Sequence, residues 1–194
     1  RQMAATLAHL LIKQGDAVGL QCFDQNLVHD IPPRTNPKHL QAMFDVLEGL
    51  NPVGETDLVS VLHDLAEKIR RRALVILFSD LFTDVGPLLS CFQHMVFRKH
   101  DLAVFHIVDD QEMTFDMSRP VRFVDMESST SIVTDPAVIR GEYMRCLDRY
   151  MAELKRGCRE FNVDYRLAVP SASPEKVLSE FLLDRMRRKS GTRI

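Results

Sequence analysis

Residues 74–78 read LVILF and are followed directly by Ser79 and Asp80. An unbroken apolar run of this length, bounded by polar residues, is typical of a strand buried on both faces of a parallel sheet. A second such run, residues 102–108, ends in Asp109. The sequence therefore predicts a mainly parallel sheet with the 74–78 strand near its centre and an acidic residue after each of these two strands.

Segments with apolar residues at helical spacing alternate with these runs, which predicts an α/β fold. Residues 17–23 and 27–31 predict a β-hairpin on the N-terminal side. Its second strand is expected to be an antiparallel edge strand that ends at Pro32 and Pro33, because proline has no N–H to give to a ladder. Residues 121–124 and 131–133 predict a second, smaller hairpin. We see no linker or repeat, so the sequence predicts a single domain over residues 1–194.

Composition narrows the class of protein. The chain has 194 residues, of which 45% are hydrophobic, and its net charge is −2. The hydrophobic fraction excludes a disordered chain, and the net charge argues against a protein that coats nucleic acid. No apolar run is long enough to span a bilayer. Cys22, Cys91, Cys146 and Cys158 are too far apart for a metal clip. Three of them (Cys22, Cys146 and Cys158) lie in apolar periodic stretches, so we expect them to be buried in a reducing, cytoplasmic protein.

Oxygen-bearing side chains mark one candidate site. Thr56 and Asp57 open a predicted helix, Asp80 follows one strand, and Asp109 with Glu112 follows the next. Ligands of open parallel sheets bind beyond the carboxyl ends of the strands, and oxygen-only groups suit a hard cation such as Mg²⁺. Taken singly, each of these residues is better explained as a helix cap or a strand-end turn. Their order, a threonine on one loop and an aspartate after the following strand, favours a site.

Five linked motifs carry a resemblance to a known family. They are residues 15–20, residues 32–34 with 39–40, residues 54–58, residues 77–80, and residues 104–112. As a set they resemble a von Willebrand factor A-type domain. More narrowly, the chain is similar to the bacterial domain-of-unknown-function family fifty-eight, which is often encoded beside MoxR-type AAA+ ATPases.

The resemblance implies a Rossmann-like, three-layer fold with a metal-ion-dependent adhesion site. Thr56 matches the threonine of that site and Asp80 matches its aspartate. The Asp-x-Ser-x-Ser loop of the family matches nothing here, so we expect the first strand to be lacking from this chain and Mg²⁺ to bind only weakly.

The function implied by the resemblance is a non-enzymatic protein-interaction module. Its expected partner is a MoxR-type ATPase or a client of that ATPase, with no nucleic acid and no membrane contact from these residues. Two alternatives stay open. One is a Mg²⁺-dependent phosphoryl-transfer enzyme that uses Asp80 and Asp109, and the other is a scaffold with a degenerate metal site.

Overall fold

A computed structural model describes residues 1–24, 27–51, 56–117, 119, 121–124 and 131–191 of the chain. The chain divides into two compact units. Unit 1 is formed by residues 1–52 with 171–194, and unit 2 by residues 53–170. The prediction of a single domain over residues 1–194 stays a prediction.

The elements follow one another in the order that the sequence predicts, except for a short helix after the 102–108 strand that it does not predict. They are α1 (Gln2–Lys13), β1 (Val18–Phe23), β2 (Leu27–Arg34), α2 (Pro37–Gly49), α3 (Leu58–Lys68), β3 (Leu74–Ser79), α4 (Val85–Phe97), β4 (Asp101–Ile107), α5 (Asp110–Thr114), β5 (Val121–Val124), β6 (Ser131–Thr134), α6 (Pro136–Glu160), β7 (Asp164–Ala168) and α7 (Pro174–Gly191).

Unit 2 is built on a parallel sheet with the strand order β3-β4-β7. Helix α4 packs on β4, α6 packs on β7 and α3 packs on α4, so the predicted Rossmann-like α/β fold is confirmed. One detail of the prediction is wrong, because within the described residues β4 is the central strand and β3 has only β4 beside it. Since β4 is paired on both sides, residues 102–106 are all buried, whereas only Leu77 of β3 is. An apolar run indicates that a strand is covered by helices, but it does not tell whether the strand lies at the centre or at the edge of its sheet.

The core of unit 2 is formed by aromatic and aliphatic side chains of β4 and the adjacent helices. Phe105 is fully buried and stacks on Phe78 of the neighbouring strand, with ring centroids 4.8 Å apart. Helix α6 approaches α4 closely at Gly157, where an added Cβ would lie 2.2 Å from the Leu89 Cδ1 atom. This glycine therefore permits the helix contact.

In unit 1, β1 and β2 form the predicted antiparallel hairpin as a two-stranded sheet of their own. The expectation that β2 ends at the prolines is wrong, because the strand continues to Arg34, which pairs with Val18. The register shifts between Val18 and Leu20, a β-bulge that lets prolines sit in an edge strand without breaking the pairing. Gly19 faces this bulge, where a Cβ would lie 2.8 Å from the Ile31 carbonyl oxygen.

Several helices begin at the N-cap residues that the sequence predicts. Asn36 accepts a hydrogen bond from the Lys38 N–H at 2.9 Å, and Asp135 accepts one from the Ala137 N–H at 3.0 Å, as N-caps do. Asp84 occupies the N-cap position of α4 without a side-chain cap bond.

The second predicted hairpin is present, whereas the predicted burial of the cysteines is only partly correct. β5 and β6 pair antiparallel as predicted, and the turn at 127–130 lies outside the described residues. Cys158 is buried and Cys22 half-buried, but the expectation of a buried Cys146 is wrong, because the solvent-facing side of α6 exposes it. Over the described stretches, no helix has both the length and the apolar character needed to cross a bilayer.

Protonation of His100 is expected to destabilise the fold. His100 is buried, and its Nδ1 atom accepts a hydrogen bond from the Ala73 N–H at 3.3 Å. Burial, and then the charge of Arg98, lowers the pKa of His100 below its usual value. The unfolded chain therefore takes up the proton first, so the stabilisation is complete above about pH 6.5 and is lost as the pH falls below it.

We predict that His100→Gln, which keeps an acceptor at this position, reduces the loss of stability between about pH 7 and pH 5. The reduction is at most about 1.4 kcal/mol per pH unit, the slope that one proton gives. Urea unfolding midpoints of both proteins across this pH range measure it. Parallel pH profiles for wild type and variant would contradict the prediction.

Candidate functional site

The carboxyl end of the parallel sheet in unit 2 holds the predicted site residues. β3 and β4 are adjacent parallel strands, and Ser79 pairs with His106. Asp80 follows β3 directly and Asp109 follows β4 within two residues. Both carboxylates are exposed at this end of the sheet.

The loop that carries Asp80 is held by its own hydrogen bonds. The Phe82 N–H donates to the Asp80 Oδ1 atom at 3.2 Å, and the Leu81 N–H donates to the Ser79 hydroxyl oxygen at 3.0 Å. From helix α6, the Tyr150 hydroxyl donates to the Leu81 carbonyl oxygen. One carboxylate oxygen of Asp80 is therefore engaged with the loop backbone.

Thr56 lies at the same end of unit 2. Asp57, rather than Thr56, is the N-cap of α3, since its Oδ1 atom accepts a hydrogen bond from the Ser60 N–H at 3.0 Å. Asp57 and Pro87 line one groove, so the first turns of α3 and α4 are neighbours. Because α4 begins just after the Asp80 loop, Thr56 and Asp80 share this end of the unit. Residues 54–55 of the motif around Thr56 lie outside the described residues.

Asp109 caps the N-terminus of helix α5. Its Oδ1 atom accepts a hydrogen bond from the Gln111 N–H at 2.8 Å, which makes it the N-cap of the short helix α5. Glu112 is exposed on that helix. The carboxylate that the enzyme alternative requires is thus partly committed to capping.

Beneath the Asp80 loop lies a buried polar network. His106 is buried, as the sequence predicts for a core histidine, and its Nδ1 atom lies 2.7 Å from the Tyr165 hydroxyl. Burial lowers the pKa of His106 and raises the pKa of Tyr165. Burial, and then the negative charge of Asp80, raises the pKa of Tyr150. His106, Tyr150 and Tyr165 therefore carry no charge at pH 7.

The donor chemistry at this end of the sheet fits a hard cation. The Thr56 hydroxyl and the Asp80 carboxylate are oxygen ligands of the kind that Mg²⁺ takes. Two side chains are few for an ion that prefers six oxygens. Throughout the described ranges, no three His, Cys, Asp or Glu side chains come together as a metal-binding group. The residues present fit a weak site that leaves most positions to water.

A groove between α3 and α4 extends from Asp57 and was not predicted. Its volume is about 580 Å³, and its polar lining includes His63 and His94, with ring centroids 5.3 Å apart. The His94 Nε2 atom lies 2.9 Å from a Glu67 carboxylate oxygen. The sequence signal for this groove was the helical spacing of Ser60, His63 and Glu67, which places them on one polar face of α3. That this face lies against α4 follows only from the fold.

The fold defines the class of this protein, which is an α/β protein of the Rossmann-like, three-layer kind. Residues 1–153 match the family described as "Protein of unknown function DUF58", and the chain belongs to this family. Its structure is similar to that of the conserved hypothetical protein BatB from Bacteroides thetaiotaomicron, with a TM-score of 0.56 at 15% sequence identity. That match covers 96% of this chain and 88% of BatB. No curated protein matches the chain.

Proposed function

We propose that this chain is a von Willebrand factor A-type protein-interaction module with a metal-ion-dependent adhesion-type site, and that it is not an enzyme. Thr56 and Asp80 would hold Mg²⁺ together with water. A bound Mg²⁺ supplies positive charge and an exchangeable coordination position that accepts a carboxylate from a protein partner. The resemblance of the motifs favours a MoxR-type ATPase, or a client that it remodels, as that partner.

One observation carries this proposal. Asp57 caps α3, so the Thr56 hydroxyl is not required for the helix start, and Thr56 is exposed at the end of unit 2 that also exposes Asp80. An exposed threonine and an exposed aspartate at the carboxyl end of a parallel sheet are the two parts of the adhesion site that the sequence motifs contain. The fold likeness to BatB supports the architecture alone.

The phosphoryl-transfer alternative receives less support. It needs the remaining carboxylate oxygens of both Asp80 and Asp109, since each residue already accepts one backbone N–H. It also needs a phosphate cradle or a nucleophile, for which the motifs of the sequence offer no candidate. The comparison of Asp80 and Asp109 variants therefore separates the two functions.

We predict that Mn²⁺ binds the 194-residue chain weakly, with a dissociation constant on the order of a millimolar, because two protein ligands hold such an ion poorly. Paramagnetic Mn²⁺ should broaden the amide NMR signals of residues 56–57 and 80–84 before those of other residues. Asp80→Asn should remove this broadening. Asparagine keeps an oxygen for the Phe82 N–H, so the loss reports the carboxylate charge rather than a collapsed loop.

Asp109→Asn is the matched control, since asparagine also caps helices well. The adhesion-type site predicts unchanged broadening in this variant. Broadening that depends on Asp109 and Glu112 instead of Asp80 would contradict the proposal and favour the enzyme. Mn²⁺ broadening that is spread evenly over exposed acidic residues would indicate a scaffold without a metal site.

A further inference from the structure

Phe82 is the most exposed large apolar side chain among the described residues, with 95% of its surface open to solvent. It lies on the loop after β3, two residues beyond Asp80. The ring therefore forgoes the hydrophobic stabilisation that burial would give it. Its position beside Asp80 makes it available to a partner that binds at this end of the sheet.

The backbone fixes this ring in its outward position. Leu81 is fully buried and has a positive φ of 55°, an unfavourable angle for a leucine. That conformation separates the directions of two successive side chains, so Leu81 points into the core and Phe82 points out. The Tyr150 hydroxyl holds the Leu81 carbonyl oxygen, and the Phe82 N–H is bound to Asp80.

An exposed aromatic residue is a common contact in protein interfaces. Such residues give large contact area at low entropic cost, and a few of them dominate binding energies. Because the Phe82 N–H is bonded to the Asp80 carboxylate, the ring and the candidate cation site are presented by one loop. A partner that binds at Asp80 therefore lies within reach of the Phe82 ring.

We propose that Phe82 is the specificity-determining contact of the interaction site, and that the partner segment carries an apolar or aromatic residue beside its acidic residue. This rests on the proposed function, which supplies the charge complementarity: a divalent cation at Asp80 attracts the carboxylate of the partner. Phe82 then selects among acidic segments by the residue that neighbours the carboxylate. Acidic segments without an apolar neighbour bind weakly.

A random peptide library displayed on phage tests the proposal. Selection on the 194-residue chain in millimolar MgCl₂ should enrich peptides with Asp or Glu next to Phe, Trp, Leu or Ile. For a synthetic peptide of the selected sequence, Phe82→Ser should weaken binding by about tenfold or more, as truncation of an interface centre does. Phe82→Leu should retain most of the affinity.

Phe97→Ser is the matched control. Phe97 is also a highly exposed phenylalanine, at 83%, but it ends α4, whose 13 residues place it about 20 Å from the Asp80 loop. Its substitution should leave peptide affinity unchanged. Equal affinities of wild type and Phe82→Ser would overturn the proposal, as would a selection that enriches no acidic–apolar sequence.

The two proposals fail differently. Peptide binding that needs Mg²⁺ and Asp80 but not Phe82 keeps the adhesion-type function and overturns the role of Phe82. Peptide binding that needs Phe82 but survives EDTA and Asp80→Asn overturns the metal-dependent function and, with it, the acidic partner stated here.

Discussion

Replacing Phe105 with alanine is expected to lower the free energy of unfolding by about 3–5 kcal/mol, the usual cost of emptying a buried phenylalanine site. Phe105 is fully buried in the central strand β4 and stacks on Phe78. Strands on both sides of β4 limit how far the surroundings can relax into the cavity. Urea unfolding followed by circular dichroism measures the loss.

Phe82→Ala is the matched control for this prediction. The same atoms are removed from a side chain that is 95% exposed, so the free energy of unfolding should stay within about 0.5 kcal/mol of the wild-type value. A similar loss for both variants would mean that the Phe82 ring packs against the protein in solution. That result would also remove the basis of the interface assigned to Phe82.

Two glycines of helix α6 are expected to respond to alanine with opposite signs. At Gly141 an added Cβ meets nothing within 4 Å, so Gly141→Ala should stabilise by about 1 kcal/mol through helix propensity. At Gly157 the new atom would lie 2.2 Å from Cδ1 and 2.9 Å from Cγ of Leu89. Rotation about χ2 of Leu89 moves its Cδ atoms but not Cγ, so χ1 or the helix backbone must also shift to relieve the clash.

Overpacking of this kind costs about 1–3 kcal/mol, which exceeds the gain in helix propensity. Gly157→Ala should therefore be the less stable of the two alanine variants by about 2–3 kcal/mol. Thermal or urea unfolding of both proteins measures the difference. Stabilisation by Gly157→Ala would show that α6 lies further from α4 than the structure places it.

Local sequence signals predicted the elements well, because caps and apolar runs act over a few residues. Asn36, Asp57 and Asp135 start helices as such residues do elsewhere. The place of β3 in its sheet was predicted wrongly, since strand order depends on pairing between distant segments. Cys146 was assigned to the core because a helical apolar period does not fix which flanking position faces solvent.

The candidate site was predictable only in part. Asp80 directly follows an apolar run, so its place at the carboxyl end of β3 could be predicted from the sequence, whereas a shared metal site of Thr56 and Asp80 stays a prediction. The shape of the loop could not be predicted, because the Tyr150 hydroxyl that holds the Leu81 carbonyl comes from 69 residues away. No local pattern announces a positive φ at Leu81 or the outward Phe82.

The proposed function assigns the ion to Thr56 and leaves the start of α3 to Asp57, which has a consequence for how such a protein changes over generations. Asp57 secures the helix, so a lineage can lose the Thr56 hydroxyl without losing a folded protein. Asp80 is different, because its carboxylate also accepts the Phe82 N–H. Descendants that abandon cation binding should therefore change Thr56 first and retain Asp80, or an asparagine in its place, long after the ion is gone.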